Sequence, residues 1–165
     1  MPEKETLERA REDEREGKAP STQAGEFVRE EMEHIREGKH GARSTKQAIA
    51  IGLSKARRAG VKLRPPTSGS ASTRKKASRD AARGQKRSGS TASRRRSRAT
   101  STALKREGHS AASHSSLARQ ARSSARKRGA GARHRAAMRA VETKGRSGMR
   151  SAARKAARTR RTRPR

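Results

Sequence analysis

The chain has 165 residues, of which 46 are Lys or Arg and 15 are Asp or Glu. Its formal net charge is +31, 27% of its residues are hydrophobic, and Phe27 is its one aromatic. Apolar burial contributes roughly 25 cal/mol per Å² against an ordering cost of about 1–2 kcal/mol per residue, which excludes a hydrophobic core spanning the whole length, and self-repulsion opposes compaction. The absence of cysteine excludes disulfides and thiolate metal sites.

This composition predicts a mostly disordered chain with all-α elements, a small N-terminal helical hairpin and no large hydrophobic core. The first residues are charged throughout and lack the apolar run of a secretory signal. No stretch approaches the ~20 apolar residues of a membrane span. The expectation is a cytoplasmic, nucleoid-located polycation that does not engage membranes.

Charge divides the chain into an acidic front, residues 1–37 at net −5, a basic middle, 38–66 at +8, and a strongly basic remainder, 67–165 at +28. Residues 1–17 mix Glu and Arg at helical spacing with few apolar residues, which predicts a solvated, marginal helix or disorder. Gly17 to Pro20 break it. Within 18–64 a helical hairpin is predicted. Its first helix runs from about Thr22 to Glu37, with Ala24, Phe27, Val28, Met32 and Ile35 on one side and Glu30, Glu31 and Glu33 on the other. After a turn at Gly38–Gly41, Ser44 is the expected N-cap of the second, with Gln47 reaching back to the Ser44 N–H. Ala48, Ile49, Gly52, Leu53, Ala56 and Ala59 recur at three- and four-residue steps, Lys46, Lys55, Arg57 and Arg58 lie mostly off that stripe, and Gly60 is a C-terminal stop before Pro65 and Pro66. So small a hairpin would gain from self-association.

Residues 65–102 read as a disordered Ser/Arg-rich linker. Over 103–129, Arg106-Glu107-Gly108 repeats Arg36-Glu37-Gly38, and Ser123 to Gly129 echoes Ser54 to Gly60, so the segment reads as a degenerate second copy of the turn and helix. Residues 130–165 form a basic Ala/Arg tail.

The segment Gly41-Ala42-Arg43-Ser44 through Gly60, preceded by Gly25-Glu26-Phe27-Val28-Arg29-Glu30-Glu31, resembles a family of small basic bacterial proteins of unknown function that share a GARSTKQAIAIGLSKARRAG core. The resemblance covers roughly residues 18–64 and implies a bacterial origin and no particular activity. The tail is similar in composition only to linker-histone C-terminal arms and bacterial histone-like proteins, and departs from the Lys-rich arms with 24 Arg and 7 Lys after Thr67.

Tail charge of this density points to a polyanion, because each Lys or Arg on a phosphate releases counterions. The expected function is sequence-nonspecific nucleic-acid binding, with duplex DNA favoured over RNA because there are no aromatic platforms for stacking on single strands. The candidate contacts are Lys46, Lys55, Arg57, Arg58, Lys62, Arg64, Arg94, Arg95, Arg96, Arg98, Arg119, Arg122, Arg126, Lys127, Arg128, Arg154, Lys155, Arg158, Arg160, Arg161 and Arg163. An RNA- or ribosome-associated factor and a stress-protective hydrophilic protein are the alternatives. The helix after Ser44 lacks a bracing third helix for base-specific readout, and Thr162 interrupts the likeness of Arg161–Arg165 to a minor-groove Arg-Gly-Arg-Pro hook. His34, His40, His109, His114 and His134 read as solvent-exposed rather than as metal ligands. No arrangement of nucleophile, base and orienting group suggests an enzyme, and no cofactor is expected. The acidic N-terminus either competes with nucleic acid for the basic tail or serves solubility.

Overall fold

A computed structural model describes residues 2–86 and 94–162. Among these are six α-helices and no strand: α1 (Lys4–Arg15), α2 (Pro20–Arg36), α3 (Thr45–Arg58), α4 (Ala71–Gln85), α5 (Arg94–Lys105) and α6 (His114–Thr162), with a 3₁₀ turn at Ser110–Ala112. The chain divides into two compact units, Met1–Gln120 and Ala121–Arg165.

The all-α expectation holds; the mostly disordered one does not, since 79% of the described residues are helical. Counting apolar area neglected local propensity. Ala is the best helix former, and Arg and Lys rank close behind. The stretch 65–102, expected to be a linker, carries α4 and α5. Ser70 caps α4, its Oγ accepting from the Thr73 N–H at 3.2 Å, and Ser113 caps α6 through the Ser116 N–H at 3.2 Å.

The predicted hairpin of α2 and α3 is present. Ser44 Oγ accepts from the Gln47 N–H at 3.2 Å, but Gln47 Oε1 accepts from the Arg43 N–H at 3.0 Å rather than from Ser44. Gly60 adopts φ +99° and ends the helix, and the Val61 N–H closes the turn on the Ala56 carbonyl at 3.1 Å. At Gly52 a Cβ would stand 2.7 Å from Val28 Cα and 3.0 Å from the Phe27 carbonyl oxygen. The absence of a side chain there lets the two backbones approach.

Two small apolar clusters fill the unit. In one, Phe27, Ala24, Ala10 and Ala56 are flanked by Leu7, Leu53, Val61 and Leu63, so α1 packs against the hairpin instead of standing free in solvent. In the other, Met32, Ile35, Ala42 and Ala48 meet Ala111 and Ala112, with Leu117 alongside. Burying Phe27 contributes about 1.5–3 kcal/mol. The segment after α5 is strapped over the α2–α3 turn by backbone polar groups. The Gly41 and Ala42 N–H groups donate to the Leu104 and Gly108 carbonyls at 2.9 and 3.0 Å. Thr45 Oγ1 donates to the Ala111 carbonyl at 2.7 Å, and Arg36 Nε to that of Ala112 at 3.0 Å. The apolar cluster around Met32 and Ile35 is thus closed over by Ala111, Ala112 and Leu117.

The segment read as a second copy contains the end of α5, the 3₁₀ turn and the start of α6. Helical geometry in α6 is interrupted at Gly129 (φ 74°) and Gly145 (φ 64°). The spacing from the Ser113 cap to left-handed Gly129 equals that from Ser44 to left-handed Gly60.

Gly52→Ala should lower the denaturant midpoint, with a loss of about 1–3 kcal/mol from overpacking. Gly25→Ala, where the added Cβ meets nothing within 4 Å, should be neutral or slightly stabilising in the same measurement.

Candidate nucleic-acid interface

Of the hairpin's six predicted contact residues, Lys55 and Arg57 turn inward, while Arg58 is exposed but ion-paired within the fold. Glu30 and Glu31, expected on the solvent side of α2, are 2% and 0% exposed. They meet Lys55 of α3, whose Nζ lies 3.0 Å from Glu30 Oε1 and 2.7 Å from Glu31 Oε2. Burial alone would raise the Glu30 carboxyl, but the Lys55 hydrogen bond, the Glu3 backbone N–H and Thr6 prevail and hold it below its usual value. Burial would likewise depress Lys55, but its carboxylate partners, Glu31 foremost, raise it above the usual lysine value. Lys55 is therefore a half-buried counter-charge to Glu30 and Glu31.

Arg57 is also turned in, 7% exposed, with its guanidinium on the carbonyls of Leu63, Leu53 and Arg64 at 3.3, 3.5 and 3.3 Å. It ties the post-helix segment to α3. Arg58 Nε donates to Asp80 Oδ1 at 2.9 Å, joined by Ser54 Oγ on Oδ2 at 2.6 Å. Asp80 is α4's one acid and is buried. Burial tends to raise its carboxyl, yet Ser54 and then Arg58 bring it below the usual value. Lys62 lies 3.5 Å from Glu14 at the surface. Lys46 and Arg64 are exposed.

The remaining predicted contacts lie on the later helices. Arg95, Arg98 and Arg119 are exposed, as are Arg122, Arg126, Lys127, Arg128, Arg154, Lys155, Arg158, Arg160 and Arg161. Arg163, with the rest of the Arg-Pro ending, lies outside the described residues, as do the side chains of Arg94 and Arg96.

The linker reading concealed a further set. α4 turns Ala77, Asp80 and Gly84 toward α3. A Cβ at Gly84 would stand 1.9 Å from the Arg57 carbonyl oxygen, so the helices touch backbone to backbone. On the other side Lys75, Arg79, Arg83 and Lys86 are exposed at four- and three-residue steps, a cationic stripe roughly 16 Å long at 1.5 Å per residue. The signal was present in Ser70 and the spacing of residues 77, 80, 81 and 84, but it was written in Ala, Asp and Gly rather than large apolar residues. In the second unit 17 basic residues stand against Glu142 alone.

α1 spends one face on α2. Arg9 Nε meets Glu26 Oε2 at 2.8 Å, and the Glu3 N–H donates to Glu30 Oε2 at 3.1 Å. Its outer face exposes Glu5, Glu8 and Glu12. The histidines also divide. His109, His114 and His134 are exposed as expected, whereas the side chains of His34 and His40 are only 13% and 17% exposed and lie beside Glu3 and Glu31. Among the described residues no helix is long and apolar enough to cross a membrane.

Lys55→Met should cost about 3–5 kcal/mol by leaving two buried carboxylates without their cation. Asp80 has a depressed folded pKa, so its stabilising contribution is complete above its unfolded pKa and lost as pH falls through the folded one. Stability should therefore decline below about pH 4. Asp80→Asn should flatten that decline in denaturant melts run from pH 7 to pH 3.

No curated protein and no solved structure matches the chain significantly. Residues 17–68, which hold α2, α3 and their flanks, match the model of a family of unknown function (DUF6496).

Proposed function

We propose that the protein binds nucleic acid without sequence preference, by phosphate neutralisation through the α4 stripe and the exposed cations of the second unit, and that it acts as a histone-like, nucleoid-associated factor. The observation that carries this reading is the sorting of charge. The first unit holds 14 of the 15 acidic residues and pairs its buried ones internally, while the second exposes Arg and Lys with one carboxylate among them. Such a surface attracts a polyanion over long range, with an affinity that salt weakens. Four cations along one helix face suit a phosphodiester backbone, and the lack of aromatic platforms favours a duplex over a single strand. Specific base readout by α3 finds no support, since Lys55, Arg57 and Arg58 are engaged within the fold.

For the full-length chain on a random 30-bp duplex, log K should fall steeply and linearly with log salt. Replacing Lys75, Arg79, Arg83 and Lys86 by Gln should reduce that slope by about 3–4, at roughly 0.9 per phosphate contact. Lys46→Gln with Arg64→Gln should reduce it by at most about 2. An unchanged slope in the α4 variant removes the stripe from the interface. Preferential retention of a structured RNA in direct competition would favour an RNA-associated role, and salt-independent or absent binding would favour a protective hydrophilic protein.

A further inference from the structure

We infer that Glu31, His34 and His40 form a binding site for a divalent transition-metal ion of the zinc type. Each offers one ligand atom, and the three atoms lie within 4.8 Å of one another. Glu31 and His34 are spaced i, i+3 on α2 and so share a face, the Glu-x-x-His arrangement by which helical bundles present metal ligands. His40 comes from the turn into α3, which left-handed Gly38 (φ 74°) folds back on α2.

Two features of the cluster call for a cation. Glu31 is fully buried, and neither of its carboxylate oxygens has a hydrogen-bond partner among the described residues. Lys55 Nζ stands 2.7 Å from Oε2 as an ion partner, which leaves Oε1 as the oxygen free to ligate. His40 Nδ1 lies 3.1 Å from the Gly41 carbonyl oxygen. A carbonyl can only accept, so Nδ1 carries a proton, and in the neutral tautomer, the form that binds a metal, Nε2 presents a bare lone pair. That lone pair faces Glu31 Oε1 across 3.3 Å, acceptor against acceptor. Two atoms bound to one tetrahedral zinc at about 2.0–2.2 Å are themselves separated by roughly 3.3 Å.

The surroundings match what a metal-binding imidazole requires. A backbone carbonyl fixes the His40 tautomer. Glu3 Oε1, 2.8 Å from His34 Nε2, holds the second ring and is itself held by Lys39 at 3.1 Å. Two imidazole nitrogens with one carboxylate select zinc, cobalt, nickel or copper over magnesium and calcium. A bound ion would clip the C-terminal part of α2 to the turn that leads into α3.

The test uses the untagged full-length chain. Zn2+ competed against a chromogenic chelator should bind at one equivalent per chain, and Co2+ should give the visible absorption of a four- or five-coordinate site. His34→Ala and His40→Ala should each weaken binding by at least ~10-fold, while His109→Ala and His114→Ala should leave it unchanged. No stoichiometric binding, or equal loss in all four variants, overturns the assignment. Should the inner variants lose helical circular dichroism, diethyl pyrocarbonate mapping of the wild-type chain decides the matter. Zn2+ should shield His34 and His40 while His109, His114 and His134 stay reactive, and equal reactivity of all five rejects the site.

Discussion

The fold turns on Lys55. Its ammonium lies between Glu30 and Glu31, adjacent carboxylates on α2 that point into the protein. Two like charges side by side in a poorly hydrated space repel, and each loses hydration energy that only a close cation restores. Lys55 supplies that cation from α3 and so sets the register of the hairpin, while Gly52 allows the backbones close enough for the short lysine–glutamate distances to form. α1 completes the arrangement, because the Glu3 N–H at its start satisfies the second oxygen of Glu30. A chain with one aromatic thus supplements a small apolar core with buried, mutually compensating charge.

The same economy extends outward. α4 attaches through Asp80, which gathers Ser54 and Arg58, and through Gly84, whose missing side chain admits the end of α3. The strap from Leu104 to Ala112 attaches through backbone carbonyls and two alanines. Each contact brings together small residues and polar groups in short range, where hydrogen bonds compensate for modest apolar area. The acidic residues that make these attachments are concentrated in the first unit, so the basic residues elsewhere have few carboxylates to meet. Identical side chains consequently do two jobs: Arg57 and Lys55 hold the fold, while Lys75, Arg79 and the arginines of α6 face solvent.

Much of the hairpin was legible. The capping serine, the apolar spacing of α2 and α3, and the stop at Gly60 are local signals, and each acts within about five residues of itself. α4 was harder to see because its inward face consists of Ala77, Asp80 and Gly84, which no count of large apolar residues registers. Helicity in the later segments was underestimated for a related reason, since Ala, Arg and Lys favour the helix without supplying a core. The facing of Glu30, Glu31 and Lys55 could not be read at all. On a helical wheel they belong to polar sides, and only the packing of α1, α2 and α3 together encloses them.

By itself the sequence determined the all-α character, the two ends of α3, and the concentration of positive charge toward the C-terminus. These follow from backbone preference, capping and composition, which are properties of residues and their near neighbours. Tertiary structure alone decided which cations are spent inside and which remain at the surface, and it alone set His40 opposite Glu31. The reason is physical: the cost of a buried charge depends on partners that approach through space, and Lys55 and Glu30 are separated by 25 residues along the chain.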